Sequence, residues 1–500
     1  MWKDTLQEMN QGKKVRTYAA WALLILAPWI QLAVISLVLG KNALATYPVW
    51  SDELDYWRNL FCWVNGGFTQ GYNGISEYAA PLGTLSVHGF IPILLYGGWV
   101  KLFGLTHYSI VLCNAVWVSV AAAVFCGLLR PKAWIASGTA GLLMLFVPAV
   151  LYASTSMTEL FNYAILLLYV AFLVRSENGG GWWARVLCWV LVVFACLYRI
   201  TYFVLFLPLL VKSGLSKKTI GLALLALTLT LCAYGVGVAF TAPYPAGFLY
   251  NWMRAENFGI FVKMFFSHAK SNLFDYFIRH TDSPMEDGLR LMYCGAMAWT
   301  FLASFIRLER EEGRIRLEVG LRWKSVNYFL LLFVPFAIVI MLYETNDWSD
   351  FRTLSPFLWS VAILMLLQRK RILPAFVLAG SIAMLVGLCN GAPIGAFQDE
   401  YRFTEPPSSA EVQLACEIII FNPDAKSPYE NTIRADLATY QVMKSVDPAM
   451  GLMFGWFTAE STGKSHWVLT DHLKIVLENY EAIFVDRGAK VYRKMADIEP

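Results

Sequence analysis

Charge is scarce in this chain of 500 residues. Lys and Arg number 40 and Asp and Glu number 36, so charged residues make up 15% of the chain and hydrophobic residues 57%. This balance excludes a soluble globular protein and a disordered chain, because both need far more polar surface. The net charge of only +4 also excludes a nucleic-acid binder that works through a basic surface. We therefore predict an integral membrane protein.

Metal-binding and disulfide patterns are also missing. The nine cysteines are scattered, mostly within apolar stretches, with no Cys-x-x-Cys and no His at metal-ligand spacing. The cysteines are interpreted as small hydrophobic residues of membrane helices. No cofactor is predicted, although carboxylates near span ends leave a divalent cation such as Mg²⁺ or Mn²⁺ open.

Long apolar stretches dominate what is present. A helix needs about 20 apolar residues to cross the hydrocarbon layer. The sequence predicts eleven spans, at 18–39, 108–128, 133–153, 160–174, 182–198, 200–211, 219–240, 291–306, 325–342, 354–368 and 372–390. The first is interpreted as an uncleaved anchor, because its apolar run is longer than that of a signal peptide.

The connecting segments differ in charge between the two sides. One side carries 20 Lys and Arg against 7 Asp and Glu, and the other carries 10 against 13. Positively charged connections stay in the cytoplasm. The prediction is a multi-pass protein of the cytoplasmic membrane, with its N-terminus inside and its C-terminal domain outside. The basic segment 307–324 is interpreted as a solvated cytoplasmic connector.

Two regions outside the spans are too long to be simple connectors. The first outer loop, 41–106, has an acidic helix-like stretch, a Gly-rich turn and an amphipathic run, which predict helices along the membrane surface. The tail, 391–500, alternates as strands do on either side of two turns, at 454–470 and at 482–493. We predict a membrane module over 1–390 and a small extracytoplasmic α/β domain over 391–500.

Ionisable residues lie beside the outer ends of the spans instead of scattering among the loops. They are Asp52 and Glu53 after the first span, Glu159, Arg199, and Arg352 in the segment with Asp347 and Asp350. Helix ends in a bundle converge, so these groups are predicted to line one cavity. Carboxylates beside guanidinium groups suit a reaction in which a hydroxyl loses its proton while a phosphate leaves.

The first outer loop resembles a known family. It contains S-D-E-L-D-Y-W at 51–57, G-Y-N-G at 71–74, E-Y-A-A-P-L-G-T-L at 77–85 and L-Y-G-G-W-V-K-L-F-G at 95–104. These motifs resemble those of the GT-C superfamily of polyprenyl-phosphate-dependent glycosyltransferases, which includes protein O-mannosyltransferases and aminoarabinose transferases. The resemblance covers about the first 210 residues by layout and motif spacing.

The resemblance implies a role for several residues. Asp52 matches the catalytic base of the family, Glu53 is its acidic neighbour, and Glu159 matches a second acidic position. The segment from Phe351 to Pro356 is similar to one that enters a late span in several members. The expected activity is transfer of a sugar, hexosyl or pentosyl, from a polyprenyl phosphate to a glycan, lipid or protein acceptor, with inversion at the sugar carbon.

The sequence departs from the family at one cation. Thr84 stands where the O-mannosyltransferases have Lys, and the corresponding Lys of the aminoarabinose transferases is missing too. Arg58, Arg199 and Arg352 are the available substitutes and are predicted to bind the donor phosphate.

The Gly-rich part of the first outer loop supplies further candidates. Tyr72, Asn73, Glu77 and His88 are predicted to contact substrate, although turn formation alone explains Asn73.

Structural explanations compete with these roles. Asp52, Glu53 and Glu159 could be helix caps, and Arg199 could extend its charge to the membrane interface. The aromatic residues at 29, 47, 50, 56 and 57 are interpreted as an interfacial belt. A transporter or flippase of a lipid-linked glycan and a non-catalytic assembly subunit remain the alternative functions.

Overall fold

The computed structural model describes most of the chain. The described residues are 2–67, 73–74, 89–210, 217–240, 257–278, 284–311, 314–342, 351–389, 410–435, 440–454, 465–470, 477, 479–485 and 489–495. Helices dominate up to residue 389, and five strands of a six-stranded sheet follow.

The helical part contains several membrane spans. Its helices are α1 (Trp2–Leu39), α2 (Ser51–Asn65), α3 (Ile91–Phe103), α4 (Ser109–Leu129), α5 (Ala133–Leu145), α6 (Val147–Ala153), α7 (Glu159–Glu177), α8 (Gly181–Tyr198), a 3₁₀ helix (Ile200–Phe206), α9 (Leu207–Leu210), α10 (Lys217–Phe240), α11 (Phe258–Phe277), α12 (Pro284–Phe305), α13 (Trp323–Leu342), α14 (Phe351–Leu367) and α15 (Ile372–Cys389). Among the described residues, six helices are long and apolar enough to cross a membrane, and the bent pair of α5 and α6 makes up to seven. The predicted polytopic helical fold is confirmed, and the count of eleven spans stays a prediction.

Helix α7 lies at the centre of the bundle. Of its apolar window, 72% is buried inside the protein, against 11% for α10. Its neighbours include α4, α8 and α14. Since α10 leaves most of its apolar surface uncovered, it is suited to contact lipid, whereas α7 forms the core.

A bend between α5 and α6 shapes the region before α7. The two helices meet at an angle of 59°, and Pro148 occupies the first turn of α6, where its missing N–H costs nothing. The chain then forms a short loop, 154–158, in which every residue is buried. This loop delivers Glu159 to the start of α7.

The C-terminal unit contains a mixed sheet. It comprises α16 (Ala410–Ile418), a 3₁₀ turn (Pro428–Asn431), β4 (Thr432–Ala435), α17 (Tyr440–Ser445), β5 (Gly451–Phe454), β6 (Trp467–Thr470), β7 (Tyr480–Val485) and β8 (Lys490–Lys494). The sheet order is β1-β5-β4-β6-β8-β7, where β1 is Asn73–Gly74 of the first outer loop. The first four strands are parallel, and β8 is antiparallel to both of its neighbours. The predicted C-terminal α/β part is confirmed.

The sequence predicted strands on either side of two turns, and the strands at the two turns pair differently. The strands around Arg487 and Gly488, β7 and β8, pair directly. The strands before and after the Ser-Thr-Gly-Lys segment, β5 and β6, are parallel and separated by β4. Alternation along a strand identifies its buried face but not its neighbour, so it did not distinguish a hairpin from two parallel strands.

The basic connector is folded as well. Residues Ile306–Glu311 (β2) and Arg314–Val319 (β3) form an antiparallel hairpin between α12 and α13. Arg307 stands opposite Glu318, Glu309 opposite Arg316 and Glu311 opposite Arg314. The interpretation of 307–324 as a solvated connector did not anticipate this hairpin.

Helix α2 belongs to both parts of the molecule. Tyr56 and Leu60 are members of the membrane core, whereas Leu54 and Trp57 pack into the core of the C-terminal unit. Strand β1 also comes from the first outer loop. The C-terminal unit is therefore completed by residues 51–65 and 73–74, which a boundary at residue 390 assigns to the membrane module.

Candidate active site

Asp52 lies in the first turn of α2, and Arg352 lies in the first turn of α14. Arg352 Nη1 donates a hydrogen bond to Asp52 Oδ2 at 2.6 Å. A carboxylate is favoured at a helix N-terminus and a cation is not. The Asp52 carboxylate is thus favoured by the N-terminus of α2, and it also neutralises the Arg352 guanidinium at the N-terminus of α14.

A second ion pair connects α7 and α8. Glu159 is the first residue of α7, and Arg199 follows the last residue of α8 in extended conformation. Arg199 Nη2 donates to Glu159 Oε1 at 2.6 Å, with side-chain exposures of 23% and 2%. Both charges have the sign that their helix end favours, so the pair is held in place by α7 and α8 together.

The two ion pairs form one charged cluster. Arg352 interacts electrostatically with Glu159 and Arg199 as well as with Asp52. The structure therefore brings together Asp52, Glu159, Arg199 and Arg352, which are distant along the chain. Two carboxylates and two guanidinium groups balance in charge, and a bound anion would find both cations close together.

Tyr56 lies at this cluster one helical turn after Asp52. It interacts with Glu159, Arg199 and Asp52, and burial, reinforced by the nearby anions, raises the pKa of its hydroxyl well above the usual value. The hydroxyl therefore stays protonated. The interfacial-belt interpretation is wrong for Tyr56 and Trp57, which are 4% and 2% exposed. The spacing of four residues from Asp52 on a helix was the signal that could have identified Tyr56.

Two buried polar atoms lie near the start of α7. Glu159 Oε2 and Asn162 Nδ2 have no hydrogen-bond partner among the described residues. They are three residues apart and so lie on the same side of the helix. Leaving such atoms unsatisfied is costly, so the site is suited to a polar ligand or water at this point.

Glu53 is engaged by the main chain. Its Oε2 accepts hydrogen bonds from the N–H groups of Val49 and Trp50, each at 3.0 Å, and its Oε1 accepts from the N–H of Ser156 at 2.7 Å. The side chain is fully buried. These contacts match the capping explanation for Glu53 and tie the start of α2 to the loop 154–158.

Other side chains hold the same loop. Asn114 Nδ2 donates to the carbonyl of Met157 at 2.8 Å, Tyr198 OH donates to the carbonyl of Thr158 at 3.1 Å, and Thr158 Oγ1 donates to Tyr56 OH at 3.3 Å. The loop is polar, buried and bonded on several sides, so it fixes Glu159. The sequence offered no local signal for Asn114 or Tyr198, which lie within apolar spans.

Arg58 does not join the charged cluster. Its two terminal nitrogens donate to the main-chain carbonyls of Met443, Val446, Asp447 and Met450 at 2.6 to 3.1 Å. The guanidinium is fully buried, and this burial lowers its pKa. The predicted phosphate contact is therefore corrected, since both terminal nitrogens are already occupied by the C-terminal unit.

The predicted substrate contacts of the first outer loop fall mostly outside the described residues. Tyr72, Glu77 and His88 lie there, as do Asp347 and Asp350. Asn73 lies in strand β1, opposite Leu452 of β5. No group of three or more His, Cys, Asp or Glu side chains in the described part of the chain is arranged to hold a metal ion.

No protein-family model and no curated protein matches the chain. Two solved structures are similar to it. One is the crystal structure of ArnT from Cupriavidus metallidurans bound to undecaprenyl phosphate, with 13% identity and a TM-score of 0.48 over 94% of this chain and 98% of that chain. The other is ArnT from the same organism in the apo state, with 12% identity and a TM-score of 0.40 over 93% and 97% of the two chains.

Proposed function

We propose that this protein is an inverting membrane glycosyltransferase that moves one sugar from a polyprenyl phosphate to a hydroxyl of a glycan, lipid or protein acceptor. The observation that carries the proposal is the Asp52–Arg352 pair beside the Glu159–Arg199 pair. It places a carboxylate that can accept a proton next to two guanidinium groups that can hold a phosphate. The family motifs around Asp52 support the same activity.

Arg352 is suited to the donor phosphate. Its side chain is 32% exposed, and among the described residues only one of its guanidinium N–H groups is used, in the bond to Asp52. A guanidinium matches phosphate oxygens through several parallel hydrogen bonds. The start of α14 adds the positive end of a helix dipole, which favours a bound anion.

Binding of the donor would also prepare the base. In the resting protein Arg352 neutralises Asp52 at 2.6 Å. When the donor phosphate accepts the hydrogen bond that Arg352 otherwise donates to Asp52, the Asp52 carboxylate becomes available to the acceptor hydroxyl. Asp52 thereby accepts a proton more readily when the donor is bound than when the site is empty.

The chemical step transfers the sugar from the phosphate oxygen to the acceptor oxygen. The acceptor hydroxyl gives its proton to Asp52, and its oxygen forms the new bond to the anomeric carbon. The bond between that carbon and the phosphate oxygen breaks, and its electron pair leaves with the polyprenyl phosphate beside Arg199 and Arg352. Attack opposite the leaving group inverts the configuration. Asp52 returns its proton to water.

The site is proposed to face the extracytoplasmic side. The charged cluster lies at the end of the bundle that carries α2, where α7 and α14 begin. The positive charge of the opposite connections supports a cytoplasmic N-terminus and an outer C-terminal unit.

Replacing Asp52 by Asn tests the proposal in cells that lack the gene. Lipidomics of the deletion strain is expected to show a missing sugar, which wild-type protein restores. Asp52→Asn is expected to lower formation of that product by about 10² to 10⁴-fold at equal protein level, because the amide cannot take the proton.

Glu177→Gln is the matched control. Glu177 lies at the other end of α7, paired with Lys324 at 3.3 Å, and its loss should leave the product unchanged. If Asp52→Asn restores the product to the wild-type level, Asp52 is not the general base. A deletion that changes only the side of the membrane on which a glycolipid resides would favour a flippase.

A further inference from the structure

Helix α2 is enclosed along its middle. Every residue from 53 to 60 is buried, although the segment contains three charged side chains, Glu53, Asp55 and Arg58. An isolated helix with this sequence would not bury those charges, because desolvating them is costly. The helix is enclosed because the membrane helices cover one side and the C-terminal unit covers the other.

The side facing the membrane helices carries the candidate active site. Glu53 accepts a hydrogen bond from the Ser156 N–H, and Tyr56 accepts one from Thr158, so two residues of α2 grip the loop before Glu159. Asp52 meets Arg352 at the end of the same helix. The contacts at this end include the Glu53 cap, the bonds to Ser156 and Thr158, and an ion pair in which Arg352 is 32% exposed.

The other side is anchored in the C-terminal unit. Leu54 and Trp57 pack into the core of the C-terminal unit. Arg58 adds four hydrogen bonds to carbonyls of residues 443–450, where α17 ends and turns toward β5. A buried guanidinium is stable only while such acceptors surround it, so a shift of α2 along its axis or about it would break several of these bonds at once.

We propose that Arg58 is a positioning residue for Asp52, and that the C-terminal unit sets the position of the catalytic carboxylate through it. The inference rests on the proposed function. Arg58 and Asp52 are six residues apart on one helix, which is about 9 Å along its axis. Over that length the helix moves as one piece, so the carbonyls of 443–450 fix the place of Asp52 opposite Arg352. A misplacement of about 1 Å can cost a reaction about 10²-fold.

The test separates positioning from binding and from general damage. Arg58→Met is expected to lower formation of the glycosylated product by about 10²-fold, while binding of polyprenyl phosphate to the purified protein changes less than about threefold, because Arg199 and Arg352 remain. Arg58→Lys keeps the charge with fewer donors and should restore part of the activity. Hydrogen exchange of the α2 amides should rise in Arg58→Met and less in Arg58→Lys.

Arg434→Met is the matched control. Arg434 is a buried arginine of β4, inside the same sheet but off α2. It should leave the exchange of α2 and the product nearly unchanged. If Arg58→Met and Arg434→Met lower the product equally, or if both Arg58 variants lose lipid binding together with activity, the positioning role is wrong. If Arg58→Met does not accumulate, Arg58→Lys alone decides. Wild-type activity in Arg58→Lys together with fast hydrogen exchange of the α2 amides would then also show that the positioning role is wrong.

The two proposals fail in different ways. If Asp52→Asn leaves the product intact, the proposed function itself is wrong. If Asp52→Asn removes the product and Arg58→Met does not, the carboxylate is the base and only its dependence on the C-terminal unit is wrong.

Discussion

Two arginines are bound at α2, and they differ in exposure and in hydrogen bonding. Arg352 comes from another helix and binds the beginning of α2, whereas Arg58 belongs to the middle of α2 itself. At the beginning, Arg352 touches one carboxylate, and 32% of its side chain is exposed. In the middle, Arg58 is fully buried and bonded to four carbonyls. A guanidinium with unused donors and access to solvent can still take a ligand, whereas one whose terminal nitrogens are filled by main chain serves as an anchor. Both arginines were predicted to bind the donor phosphate, and only Arg352 is placed in the charged cluster.

Arg352→Met is expected to have the largest effect. It removes the guanidinium from the phosphate site and leaves Asp52 without its partner, so product formation should fall by about 10² to 10³-fold. Polyprenyl phosphate binding, measured on purified protein, should weaken as well. Retained binding with lost turnover would assign the phosphate to Arg199 instead of Arg352.

Arg199→Met should lower the stability of the protein as well as its binding of the donor. It leaves Glu159, which is 2% exposed, as a buried carboxylate without its cation, a change that costs about 3 to 5 kcal/mol. The double variant with Glu159→Gln should recover a large part of that loss, because the buried charge is gone. Thermal unfolding in detergent of the wild type, Arg199→Met, Glu159→Gln and the double variant measures the coupling between the two side chains. Losses of stability that simply add would contradict the ion pair's contribution.

Leu54→Ala tests whether α2 is anchored in the core of the C-terminal unit. Leu54 is 1% exposed and packs with the C-terminal core, so its truncation should cost about 2 kcal/mol or more. Hydrogen exchange should increase in α17 and β4 rather than in α7. An increase confined to the membrane helices would show that α2 is not part of the C-terminal core.

Tyr56→Phe should have the smallest effect. It removes the hydroxyl that accepts a bond from Thr158 at 3.3 Å, which contributes about 1 kcal/mol. The ring remains in the core, and the thermal midpoint should fall by only a few degrees. A loss of product as large as that of Asp52→Asn would instead give Tyr56 a direct part in the reaction.

The sequence predicted the site better than it predicted the connections around it. Asp52, Glu159, Arg199 and Arg352 were expected to converge because each lies at a span end, and the helical bundle brings them together. Composition and span ends are local properties, so they can be read from one sequence.

The partner of Arg58 could not be read in the same way. It lies 385 to 392 residues further along the chain, and nothing near Arg58 indicates four carbonyls. The parallel order of β1, β5, β4 and β6 is likewise a long-range property, because parallel strands are joined by crossovers whose course the strands do not encode. Glu53 was ambiguous for another reason, since an acid in a first helical turn can cap, catalyse or do both.

Strand β1 makes the order of synthesis matter. It is only two residues long, yet it covers the edge of β5, whose sequence leaves the ribosome almost 400 residues later. Until the C-terminal residues have been synthesised, the first outer loop therefore lacks the partner strand of β1, and α2 lacks the C-terminal core that buries Leu54 and Trp57. Residues 391–500 produced alone would expose an unpaired strand edge and a vacant apolar surface where α2 belongs, and should aggregate. A peptide of residues 48–76 added to that fragment should pair with the exposed edge of β5 and cover the apolar surface, and so reduce aggregation.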